Sequence, residues 1–238
     1  MSENRINRTI QDLESRIRGT NSSEHKIILI SDSKGCYLRN QSFNIKGCPH
    51  ITWLCKRGAT LKDTYNWLKA TVQRDERKFS NAQVYLWMGT CDLTTKSSNR
   101  CIELVNKYSR DIDYILTKYI EIRELLERAN SIVTFIDVPL YSIRHWNRAK
   151  GHPHPEAFVP DDELLRQQIQ ELNNNLQRLN QEKGLFYPNL NIDLTISRSK
   201  NHRTEYHTNW KLFLDGIHPK PIVAKVWLLK LIHNSNKK

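Results

Sequence analysis

Lys26-Ile27-Ile28-Leu29-Ile30-Ser31-Asp32-Ser33-Lys34-Gly35 decides how this chain folds: an unbroken apolar, β-branched run that stops at a short polar turn. A strand with one wet face alternates apolar and polar residues, whereas a strand covered on both faces is apolar throughout, so 26–30 reads as a buried parallel strand. Similar runs recur at 51–55, 84–88 and 132–138, with a weaker one at 190–194. Between them, apolar residues return at three- and four-residue spacing over 60–72, 102–129, 161–182 and 222–232, with Asp161 and Asp162 favourably placed in a first helical turn. Strands alternating with helices predict an α/β domain, a parallel sheet covered by helices on both faces. The loops that leave the carboxyl ends of such strands share one rim, and chemistry is expected there.

Outward from this core, residues 1–24 form a polar segment in which Ile6, Ile10, Leu13 and Ile17 keep helical spacing until Gly19-Thr20-Asn21-Ser22-Ser23. They read as a short helix and hinge before a domain spanning 25–234, with 235–238 as a basic tail. The Asn-rich stretch around Asn173-Asn174-Asn175 reads as the solvated face of a helix. At 238 residues the chain fits one α/β domain.

Five cysteines, Cys36, Cys48, Cys55, Cys91 and Cys101, make an odd number without CxxC pairs, and the polar start lacks the apolar core of a signal peptide. A reducing, cytoplasmic location without a transmembrane segment is expected. The 37 Lys and Arg against 25 Asp and Glu leave a formal charge of +12, which favours anionic partners or serves solubility alone. His145, His152 and His154 lie among prolines without a carboxylate pattern, so neither metal nor cofactor is expected.

Asp32-Ser33 directly after a strand puts a hydroxyl at the head of a helix, where free backbone N–H groups can support negative charge. Taken singly, such a pair is more often a helix cap. Near the chain's end, Asp215-Gly216-Ile217-His218-Pro219 supplies a carboxylate and an imidazole three positions apart, a spacing that lets the carboxylate orient the ring. With Ser33 these give a nucleophile, a base and an orienting group on one rim.

Four short blocks, in order, resemble those of the SGNH (GDSL) hydrolases: Ile30-Ser31-Asp32-Ser33, Arg57-Gly58-Ala59-Thr60, Met88-Gly89-Thr90-Cys91-Asp92 and Asp215 to His218. The resemblance implies a flavodoxin-like three-layer sandwich, with a five-stranded sheet in order 2-1-3-4-5. It also implies a serine esterase acting on an ester of undefined acyl and alcohol parts, acetyl esters included. Ser33 would be its nucleophile, His218 its base and Asp215 the partner of that base. The oxyanion hole would take the N–H groups of Ser33 and Gly58, with Cys91 standing where the family places an asparagine. A thiol is a poorer donor than an amide, so weak activity is expected.

The basic residues also have a location. One loop carries Arg144, Arg148 and Lys150, another Arg198, Lys200 and Arg203, and Tyr141, Trp146, Phe158, Tyr206 and Trp210 are interleaved. Strand order sends both loops to the rim of Ser33, where charges and rings together suit RNA or single-stranded DNA. A solvated lid pinned by its aromatics would show the same composition. The chain further resembles the RNA-binding domain of Oskar, a hydrolase-like fold without a working site, and esterase domains of some retrotransposon proteins. Enzyme and binding module thus both stay open.

Overall fold

A computed structural model describes residues 2–18, 26–97, 100–106, 112–200 and 203–236. Chain order runs α1 (Glu3–Arg18), β1 (Lys26–Ser31), α2 (Ser33–Ser42), β2 (Ile51–Cys55), α3 (Leu61–Arg74), β3 (Ala82–Trp87), α4 (Thr90–Leu93) and a short ribbon, β4 (Thr94–Lys96) with β5 (Ile102–Leu104). It continues with α5 (Ile112–Arg128), β6 (Ser131–Phe135), α6 (Ile143–Ala149), α7 (Val159–Gln181), β7 (Thr195–Lys200), β8 (Arg203–Thr208) and α8 (Pro221–Ser235). The central sheet is parallel, in the order β2-β1-β3-β6, with Ile28 opposite both Thr52 and Val84. Among the described residues, antiparallel pairing occurs in the ribbons β4–β5 and β7–β8 and at one isolated bridge, Phe213 to Pro219.

The run at β1 is continuously apolar because both of its faces are covered. Ile28 and Ile30 pack with Val84, Leu86, Val133 and Phe135 beneath α3, α5 and α7. Ile27 and Leu29, pointing the other way, pack with Tyr85 and Trp87 beneath α1, α2 and α8. The α1 residues Ile6, Ile10, Leu13 and Ile17 are buried in this second layer with Trp227 and Leu228.

The expected fifth strand at 190–194 is absent. There the chain makes a 3-10 turn, Asn191–Leu194. Leu190 and Leu194 are buried one turn apart and Asp193 faces α8, where Lys230 Nζ reaches it at 2.6 Å. The outward backbone groups of β6 and its extension are taken instead by side-chain amides. Asn180 accepts from Phe135 N at 3.0 Å and donates to Phe135 O at 2.8 Å. Asn173 does the same for Val138, at 2.8 and 2.9 Å, and Asn191 accepts from Leu140 N at 2.8 Å. Each amide mimics one peptide of a missing neighbour strand. Asn173, read above as solvated, is therefore buried.

The helix read over 102–129 is likewise shorter at its start, because 102–104 is β5. Asn147 of α6 holds this strand by the same device, accepting from Ile102 N at 2.8 Å and donating to Ile102 O at 2.9 Å. Residues 107–111 lie outside the described residues. Among the described residues, no helix is long and apolar enough to cross a membrane.

Asn180→Ala leaves Phe135 N–H and C=O buried without partners and removes one hydrogen bond of Arg123, whose Nη2 donates to Asn180 Oδ1 at 2.8 Å while Nη1 keeps Leu179 O. Urea unfolding should show a loss of about 2–4 kcal/mol. A loss below about 0.5 kcal/mol would mean that water replaces the amide.

Candidate active site

β1 ends at Ser31, and Asp32 leaves the strand in a non-helical conformation, its side chain accepting from Lys34 N at 2.9 Å. Ser33 thereby becomes the first residue of α2, its side chain at the helix head. The turn is tight: a Cβ on Gly35 would stand 2.5 Å from Cys55 Sγ and 2.7 Å from Ser31 Cβ, so only glycine lets α2 lie this close to the strand ends.

Asp215 organises the opposite side. Its Oδ1 accepts from Ile217 N at 3.1 Å and His218 N at 2.9 Å, and its Oδ2 lies 2.8 Å from His218 Nδ1. The far ring nitrogen, Nε2, is 2.9 Å from Ser33 Oγ. Burial pushes the Asp215 carboxyl up, but the hydrogen bonds from the His218 ring and backbone outweigh it and hold the group below the usual carboxylate range. Tyr37 stacks on the His218 ring with centroids 4.7 Å apart, and Trp146 closes over it at 5.6 Å.

The loop is anchored from two directions. Leu214 N donates to His218 O at 2.8 Å, and Ser142 N donates to Gly216 O at 3.0 Å. Gly216 has φ +89°, and a Cβ there would sit 2.6 Å from His145 Cβ, so α6 packs directly on the Asp215–His218 turn. Position 142 carries a second serine–histidine contact, Ser142 Oγ to His145 Nδ1 at 2.9 Å, with Asp162 Oδ2 at 2.6 Å from the same hydroxyl. Here the carboxylate touches the serine rather than the histidine, and Ser142 is fully buried, so this cluster fastens α6. Asp162 also accepts from Ile143 N at 2.7 Å, capping α6 from the first turn of α7.

Gly58 occupies an exposed turn with φ +75° after β2. Cys91 lies on α4, where burial pushes its thiol up to about 11, so it is a neutral thiol near pH 7. Its neighbour Asp92 accepts from Leu61 N at 2.9 Å and is raised by burial to about 6. Arg144 and Arg148 both pair with Glu156, Arg144 at 3.1 Å, which halves the charge they present. Lys150 Nζ stands 4.3 Å above the Trp146 ring. Arg198, Lys200 and Arg203 fall on the β7–β8 ribbon, and their side chains lie outside the described residues. Among the described residues, no three His, Cys, Asp or Glu side chains group as metal ligands.

Sequence reading missed Lys34, which is 2% exposed and paired with Asp32. Nothing in the sequence separates a buried lysine from a solvated one. Tyr37 was missed as well, although its place one turn after Ser33 on α2 could have signalled it.

No family model and no curated protein matches this sequence. Solved structures do match in fold. A GDSL-like lipase from Bacteroides thetaiotaomicron superimposes with a TM-score of 0.59 over 93% of this chain and 94% of its own, at 14% identity. A member of the lipolytic G-D-S-L family from Veillonella parvula gives 0.53 over 87% and 95%, at 13% identity. An acetyl xylan esterase gives 0.53 over 87% and 97%, at 16% identity. The chain therefore has the α/β fold of the GDSL and SGNH hydrolases.

Proposed function

We propose that the protein is a serine ester hydrolase in which Ser33, His218 and Asp215 act as one hydrogen-bonded relay. The observation that carries this reading is the 2.9 Å approach of Ser33 Oγ to His218 Nε2 while Asp215 holds Nδ1. Ser33 Oγ attacks the ester carbonyl carbon as its proton passes to Nε2, and negative charge collects on the carbonyl oxygen. Collapse expels the alcohol, which takes the proton from His218. Water, deprotonated by the same nitrogen, then releases the acid from Ser33. The hydrogen-bonded Asp215 keeps the Nδ1 proton in place and stabilises the imidazolium formed in each half. Ser33 N–H at the head of α2 and Gly58 N–H serve as oxyanion donors, with Cys91 a poor third.

Labelling by a fluorophosphonate serine probe tests the reading. The wild-type protein should label and Ser33→Ala should not; folded wild-type protein that resists the probe would end the esterase proposal.

Cys91→Asn should restore an amide donor. Since one such donor is worth ~10²–10³ in turnover, the variant should hydrolyse an activated acetyl ester at least about tenfold faster. Unchanged turnover in a folded variant would show that position 91 does not limit the reaction.

A second reading, binding of RNA or single-stranded DNA across the same rim, is favoured by the +12 charge and by Lys150 over Trp146 beside His218. It predicts filter retention of single-stranded oligonucleotide at low salt, falling by ~0.7 log units per phosphate contact for each tenfold rise in salt. Lys150→Glu should weaken retention for all sequences alike. Absence of retention at low salt removes this reading and leaves the esterase one intact.

A further inference from the structure

The side chain that follows the proposed nucleophile is buried in a place where a lysine is costly. Lys34 is 2% exposed and Asp32 1%, with 2.5 Å between Nζ and Oδ2. Lys34 Nζ also donates to Thr90 Oγ1 and stands 5.4 Å from the Trp87 ring centre. Asp32 uses its other oxygen, Oδ1, on Lys34 N. A buried ion pair of this kind commonly stabilises a fold no better than apolar side chains of the same volume, so packing alone does not account for the lysine.

We infer that Lys34 is a positioning residue for the ester hydrolysis proposed above: it cancels the buried charge of Asp32 behind Ser33 and fastens the nucleophile's helix to the segment that carries Cys91. The inference rests on the esterase reading.

The connectivity supports the fastening. Lys34 bridges α2 to Thr90 at the start of α4, and the Thr90 carbonyl is fixed by Thr94 Oγ1 at 2.8 Å and Tyr141 Oη at 3.1 Å. Two residues on, Asp92 accepts from Leu61 N at the start of α3. One chain of contacts thus runs from the serine turn through α4 to the segment that follows Gly58, joining all three proposed contributors to the oxyanion hole.

Charge gives the second half. When Ser33 attacks, negative charge grows on the acyl oxygen in the neighbourhood of two carboxylates, the buried Asp32 and the half-buried Asp92. Because Asp32 is itself only 1% exposed, such repulsion is only partly screened, so an uncompensated Asp32 opposes the transition state more than the ground state. Burial is the main cause that raises the Cys91 thiol; Asp32 adds to the rise and Lys34, whose Nζ donates to the adjacent Thr90, opposes it. With a thiol there instead of an amide, the site has little donor strength to spare against a bare carboxylate.

Fluorophosphonate inactivation rates of the wild type, Lys34→Met and Asp32→Asn/Lys34→Met test the inference, each variant checked for folding by circular dichroism. Methionine keeps much of the volume, and the asparagine oxygen can still accept from Lys34 N. Lys34→Met should be at least about tenfold slower, the loss falling on the limiting inactivation rate and not on the half-saturating probe concentration. The double variant, which buries no lone carboxylate at position 32, should recover to within about threefold of the wild type. A residue with only a packing role would give rates that follow thermal stability. Folded Lys34→Met within about twofold of the wild type, or a double variant no faster than Lys34→Met, would overturn the inference while leaving the esterase reading in place. A wild type that does not label would overturn both. Should Lys34→Met not fold, the double variant decides alone, and a tenfold loss in it would refute the charge-cancelling role.

Discussion

The outer edge of β6 is the constraint on which the arrangement depends. A strand buried on both faces but unpaired along one edge must satisfy its outward N–H and C=O groups, and here Asn180 and Asn173 of α7 do so at Phe135 and Val138. That requirement fixes the register of α7, since a shift of one residue would swing both amides off the edge. Asp162 lies eleven residues before Asn173, close to three helical turns, and so falls on the same face of α7. There it caps α6 and binds Ser142. Ser142 N in turn donates to Gly216 O, inside the turn that presents His218. The position of the imidazole is thus inherited, through α7 and α6, from the backbone groups of an edge strand.

This dependence explains what was legible in the sequence. The β1 and β3 runs were readable because burial on both faces leaves a nearly continuous apolar string, the β2 and β6 runs because they too are mostly apolar although parts of them are half-buried or exposed, and the helices because their periodicity is local. Leu190, Ile192 and Leu194 keep the two-residue period of a strand, but the hydrogen bonds that a fifth strand would have made are already spent on asparagine side chains. A polar residue that replaces a strand looks, in sequence, like a polar residue on a solvated helix face. The same ambiguity hid Asn173.

The juxtaposition of Ser33, Asp215 and His218 was legible for a different reason. Each is tied to an end of a secondary-structure element, and in a parallel α/β fold the ends that matter share a rim, so residues 185 positions apart in sequence become neighbours at 2.9 Å. The basic loops followed the same logic of strand order, yet charge is not fixed by chain position alone. Glu156 draws in both Arg144 and Arg148, so a count of arginines overstates the positive field at that surface.

Structural likeness at 13–16% identity preserves the backbone path and leaves the chemistry to individual side chains. Two of them differ in kind from the rest of this site. Cys91 lies half-buried on α4, and its burial keeps it a neutral thiol. Lys34 brings a positive charge that burial makes costly, and its Nζ reaches Thr90, the residue before Cys91. In the proposed reaction, a thiol at position 91 and a buried cation on α2 would stabilise negative charge less by a hydrogen bond aimed at one oxygen than by the field of a fixed ion pair. A field of that kind acts at a distance and discriminates little between leaving groups, so in the proposed hydrolysis specificity would fall to the walls of the site, where Tyr37 and Trp146 flank His218.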